Sequence, residues 1–141
     1  MKNDILQNIQ FTKKQKEACM PLIHKLLGFS IESRSRGLLA LENEIENEPD
    51  EFLKKGLQMI VDAVWPKEVE STLQSIINAE KSTGIRLLEQ HIAMRGILLL
   101  QNGEPTHSLA AELLSFLDGE NAPEPDDCDL PDELRLDNIN G

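Results

Sequence analysis

The residues best suited to chemistry in this 141-residue chain are three histidines, two cysteines and a run of glutamates. Imidazole moves protons or binds metal near neutral pH, a thiolate attacks electrophiles, and grouped carboxylates hold hard cations. Spacing removes most of this chemistry. His24, His91 and His107 stand in no mutual metal-ligand pattern. Glu104 and His107, three apart, can meet around a helix start, but a metal centre needs at least one more well-placed ligand and none is apparent. The histidines are therefore expected at solvent-exposed or helix-capping positions. Glu42, Glu44, Glu46 and Glu48 alternate by two, which spreads them around a helix, so a solvated face is expected rather than a cation site. Cys19 precedes Met20 with apolar groups further on, and reads as a packed thiol. Neither Cys19 nor Cys128 has a CxxC partner, which fits reduced thiols in a cytoplasmic protein. P-loop, GxGxxG, HExxH and GxSxG patterns are absent. The chain is expected to be no enzyme and to carry neither cofactor nor metal.

Charge narrows the partners. The formal charge is −11, but from Asp118 to Gly141 nine acids face one Arg, a net −8, while residues 1–117 carry only −3. The body has no basic stripe and no aromatic interleaving, so neither nucleic acid nor an anionic membrane surface is an expected partner. The longest aliphatic run is Ile97-Leu98-Leu99-Leu100, whereas a membrane-spanning helix needs about 20 mostly apolar residues. Membrane insertion is not expected. No apolar signal region follows Met1-Lys2-Asn3-Asp4, so secretion is not expected either.

These side chains must be carried by helices. Aromatics make up 4% of the chain, so the core has to be built from Leu, Ile and Val with Phe and Met filling gaps, and Leu-rich segments poor in β-branching favour helix. Thr12 with Gln15 offers a capping box. From there Ala18, Leu22, Leu26 and Phe29 recur at helical spacing, and Leu38, Leu41 and Ile45 continue it. Gly28 and Gly37 are alternative break points, and Pro21 implies either a kink or a helix that starts near residue 20. Pro49-Asp50 opens a helix with Phe52, Leu57 and Ile60. Trp65-Pro66 ends it and starts one with Val69, Leu73 and Ile77. Ser82-Thr83-Gly84 is the join to a helix reaching Gln101, which Asn102-Gly103 stops in the left-handed region. Glu104-Pro105-Thr106 opens the last helix, with Leu109, Leu113, Phe116 and Leu117. The expected fold is all-α: a compact bundle of about five helices over residues 1–118, followed by an acidic tail, 119–141, whose composition implies mobility. Leu130, Leu134, Leu136 and Ile139 in that tail read as weak docking or as nothing functional, with a short partner motif as the sharper alternative.

Three stretches carry more than periodicity. Ser33-Arg34-Ser35-Arg36-Gly37-Leu38-Leu39-Ala40-Leu41-Glu42 is close to A-R-R-E-G-L-L-A-L-E. Phe52-Leu53-Lys54-Lys55-Gly56-Leu57-Gln58-Met59-Ile60-Val61-Asp62, followed by Pro66, is close to F-L-K-K-G-L-Q-x-V-V-D-G-x-D-P. Gly96-Ile97-Leu98-Leu99-Leu100-Gln101-Asn102-Gly103-Glu104-Pro105, with Leu113 to Leu117 beyond it, is close to G-I-L-A-I-Q-x-G-E-N-P followed by K-L-x-x-F-L. In this order the three resemble the cytoplasmic parts of the MotA stator family, relatives of the TolQ and ExbB ion-driven motor proteins. In that family two membrane helices separate the second stretch from the third. Here the span from Glu70 to Arg95 reads as charged helix, so the resemblance implies the cytoplasmic fold without the ion path. Ala63-Val64-Trp65 also stands where the family has G-x-D/E, which makes the geometry of that turn a point to test.

The resemblance implies a function that composition does not. Charged residues of the family's first stretch contact the rotor's switch protein, and the matching positions here are Arg34 and Glu42. On one continuous helix they would lie about 12 Å apart along the axis, able to face one partner together. The leading expectation is a non-enzymatic, cytoplasmic interaction module whose protein partner is a rotor or stator component. The competing expectation is a structural or assembly adaptor unrelated to motility that binds through residues 119–141. Self-association is open. An exposed Trp65 would mark a contact surface, although a packed Trp65 is the default.

Overall fold

A computed structural model describes residues 13–118. The capping box at Thr12 and the acidic segment 119–141 lie outside the described residues. Helix α1 covers Lys13–Glu17 and α2 covers Met20–Arg36, followed by a 3-10 turn at Leu38–Leu41 and a short α3 at Glu42–Glu46. Helices α4 (Glu51–Val61), α5 (Pro66–Glu80), α6 (Gly84–Gln101) and α7 (Thr106–Asp118) complete the chain. The described residues contain no strand, and five helices reach eleven residues or more, as the sequence predicts.

The element ends follow local chemistry. Pro21 lies in the first turn of α2, where its missing N–H is no loss, so the helix starts there rather than kinking. Gly28 sits within the helix. The break comes at Gly37, at φ 90°, whose N–H bonds to Ser33 O at 2.7 Å. Asp50 caps α4 by accepting from the Phe52 N–H at 3.0 Å, which leaves Pro49 before the helix rather than in its first turn.

Two helices close with the same motif. At the end of α6, Gly103 at φ 75° lets its N–H reach Leu100 O and the Glu104 N–H reach Leu99 O, each at 3.1 Å. At the end of α4 the same pair of bonds runs from Ala63 to Ile60 O and from Val64 to Met59 O. Ala63 accordingly sits at φ 62°, a conformation that favours glycine. The turn that the resemblance left to test thus closes in the left-handed region with an alanine in place.

Helix α6 is the axis of the bundle, packing against α2, α4, α5 and α7. It buries residues nearly all round its circumference, from Leu88 through Ile92, Met94 and Ile97 to Leu100. Two glycines set its close approaches. A Cβ on Gly96 would stand 2.8 Å from Leu26 of α2, and one on Gly56 of α4 would collide with Ile97. The core is mostly Leu and Ile, with Phe29, Phe52, Met59 and Met94 among them. Buried hydroxyls of Ser30 and Thr106, 2.7 Å apart, join α2 to the start of α7. No helix among the described residues is long and apolar enough to cross a membrane.

Candidate partner-binding surface

Arg34 occupies the last turn of α2 and Glu42 is the first residue of α3. Each suits its place electrostatically, a cation at a helix C-terminus and an anion at an N-terminus. Both are exposed. They do not share one continuous helix, however, because the Gly37 break and the 3-10 turn separate them. The single-helix spacing expected from sequence is therefore corrected. Arg34 Nη1 donates to the carbonyl of Gly103 at 3.4 Å, which rests the guanidinium against the α6–α7 turn. Neighbouring Arg36 pairs with Glu32 at 3.3 Å, one turn back on the same helix.

The intervening turn adds a side chain that charge alone does not point to. Leu41 is fully buried and Leu38 is half-buried, but Leu39 is 67% exposed. The sequence contained the signal, since Leu38, Leu41 and Ile45 form the apolar stripe and Leu39 falls off it.

Lys25, Glu48, Asp50 and Arg86 build a polar clamp between helices. Glu48, whose side chain is 3% exposed, takes Lys25 Nζ of α2 at 3.1 Å on Oε2, and the same oxygen accepts the Asp50 N–H at 3.0 Å. This corrects the reading of the glutamate run at its last member: Glu42, Glu44 and Glu46 are exposed, whereas Glu48 is buried and paired. Arg86 of α6 then grips Asp50 with two nitrogens, at 3.0 and 3.2 Å. Burial pushes the Asp50 carboxyl up, but Arg86 and the Phe52 and Leu53 N–H groups outweigh it and hold the group below its ordinary range. Glu89 is raised by burial and by the negative charge of Asp50, with Arg86 opposing at 3.9 Å.

Cys19 is fully buried, and burial, with Glu89 nearby, pushes its thiol up to about 11. That shift favours the protonated thiol at neutral pH, as suits a packed cysteine. The histidines divide. His107 is exposed as expected, but His91 is 2% exposed on the central helix, and this corrects its expected surface position. Burial lowers its pKa, and its Nε2 has no hydrogen-bond partner. Glu104 accepts from Asn102 Nδ2 at 2.7 Å. Among the described residues no group of three or more His, Cys, Asp or Glu side chains is arranged to hold a metal ion.

A second surface lies at the start of α5. Trp65, expected in the core, is 76% exposed. As the residue capping α5, it lies just before Pro66 and is turned away from the bundle. Beside it opens a cleft of about 410 Å³ whose walls include Pro66, Lys67, Leu98 and Leu99, with Arg95 held by Glu112 at 2.7 Å. Gln101 Nε2 secures the neighbouring connector by donating to Val64 O at 2.6 Å.

Comparison with known proteins gives a partial likeness. Over 54 residues, 38% of its length, the chain is 33% identical to Motility protein A of Treponema phagedenis. It is 35% identical over 54 residues to Motility protein A of Treponema pallidum, and 32% identical over 63 residues, 45% of the chain, to that of Borreliella burgdorferi. The matched spans amount to only 21% to 24% of those relatives' own lengths. No protein-family model matches the chain, and no solved structure matches it. The chain is thus similar to a segment of Motility protein A, over less than half of its own length.

Proposed function

We propose that this chain is a non-enzymatic, cytoplasmic protein-interaction module of the motility apparatus, presenting the Arg34–Glu42 surface to a rotor or stator component. One contrast carries the reading. Of the residues in the three family-like stretches, Leu41, Leu57, Ile97 and Leu113 are buried and explained by packing. Arg34, Leu39 and Glu42 are exposed, and Arg34 makes only a long bond to the Gly103 carbonyl. The similarity to Motility protein A supplies the motility context. The ion pair that engages Asp50 and the burial of Cys19 support the non-enzymatic part of this reading.

Expression in a motile bacterium tests this reading. The wild-type chain should alter swimming speed through competition or recruitment at the motor, and Arg34→Glu should restore the untreated speed at equal protein level. Unchanged swimming with both chains would argue against a motor role. An effect retained by Arg34→Glu but lost on deletion of residues 119–141 would favour an adaptor acting through its acidic segment.

A further inference from the structure

The turn between α6 and α7 contains a dipeptide with chemistry of its own. Asn precedes Gly at two places in the chain, Asn102-Gly103 and Asn140-Gly141, and the first lies among the described residues. A glycine nitrogen, with no side chain beside it, has an unhindered approach to the preceding carboxamide carbon. The nitrogen gives up its proton to solvent, bonds to Asn102 Cγ and closes a five-membered succinimide, while Nδ2 takes up a proton and leaves as ammonia. Water then opens the ring to aspartate or isoaspartate. Asn102 and Gly103 are both exposed, so water reaches them.

The folded turn holds each reacting group off this path. Asn102 sits at φ −75° and ψ −8°, which turns the Gly103 nitrogen away from the Asn102 side chain, so ring closure requires rotation about ψ. The Gly103 N–H is engaged by Leu100 O at 3.1 Å, and Asn102 Nδ2 donates to Glu104 Oε2 at 2.7 Å. We propose that Asn102 is a guarded deamidation site: it reacts through Gly103 only when the α6–α7 turn opens, and Glu104 is the positioning residue that holds its carboxamide back. Conversion replaces the donor to Glu104 by a second carboxylate, so that bond is lost. The isoaspartate product also adds a backbone carbon before Gly103, whose carbonyl receives Arg34. This chemistry needs no partner and stands apart from the proposed motor role.

The test incubates the full chain at mildly alkaline pH, folded and in urea, and follows conversion by peptide mapping, which separates Asn102 from Asn140. Folded wild type should convert at Asn102 roughly tenfold or more slowly than the unfolded chain, because reaction waits on local opening. Glu104→Ala should raise the folded rate about threefold or more, the worth of one hydrogen bond, at unchanged melting temperature and with the unfolded rate within about twofold. Glu104→Gln, whose amide oxygen still accepts the bond, should stay near wild type. Equal rates in the folded and unfolded chains, or a folded rate indifferent to Glu104→Ala, would overturn the guard. Absence of conversion at Asn102 even in urea would overturn the site itself.

Discussion

Ala63 shows how much one residue reveals about this fold. It closes α4 at φ 62°, in a double-bonded turn that glycine would adopt without strain. An L-residue there costs about 1 kcal/mol, so Ala63→Gly is expected to raise stability by roughly that amount. Chemical denaturation should show a higher midpoint with an unchanged slope. A lower midpoint would mean that the extra freedom of glycine in the unfolded chain outweighs the relieved strain. The residue scale also marks where reading the sequence reached its limit. The alanine where the resemblance implies a glycine was visible, but the form of the turn was not, because that depends on the carbonyls of Met59 and Ile60. Gly28 and Gly37 were equally plausible breaks by composition. Packing chose between them, since α2 carries buried Phe29 and Ser30 past Gly28 and the chain has to turn only after Arg36. The packing glycines Gly56 and Gly96 were legible as motif residues, but their reason, the approach of Ile97 and Leu26, needed the third dimension.

At the scale of elements, polar contacts tie α2, α4 and α6 together around Glu48 and Asp50, and their titration makes stability depend on pH. The Asp50 carboxyl is held below its ordinary 3.8, so its contribution is present above that value and is lost as pH falls through the folded pKa. His91 is lowered from 6.5 by burial, so below pH 6.5 the unfolded chain binds more protons and stability begins to fall. Glu89 has the opposite sign. Its carboxyl is raised above 4.5, and protonating it favours the folded chain as pH drops, offsetting part of the loss. Melting temperature should therefore decline first below about pH 6.5 and again below pH 3.8. His91→Leu should flatten the first decline. Asp50→Asn keeps a capping side chain but loses the charge, and should cost about 1 kcal/mol at pH 7, since Arg86 is partly screened by solvent. A first decline that persists in His91→Leu would place its origin elsewhere. Helix ends were largely legible here, through Pro21, Pro66 and Asn102-Gly103. The burial of Gln90 and His91 was not, because nothing local says that α6 is surrounded on every side.

For the molecule as a whole, two exposed features face the question of partners. One is the Arg34–Glu42 surface and the other is Trp65 beside its cleft. Charge and the family-like motif pointed to the first, but only the structure separated its members onto two helices. The second was misjudged because an aromatic before a proline reads as core when the direction of the connector is unknown. If Trp65 drives self-association, sedimentation should show a concentration-dependent dimer that Trp65→Ser abolishes; a monomer at every concentration would exclude it. The central claim, that the Arg34–Glu42 surface binds a motor component, is tested most directly by calorimetric titration with the C-terminal domain of the rotor switch protein at two salt concentrations. The account predicts saturable binding that weakens with salt and disappears in Arg34→Glu while helix content is unchanged. A flat titration at about 100 μM, where any Kd well below that releases measurable heat, would contradict it.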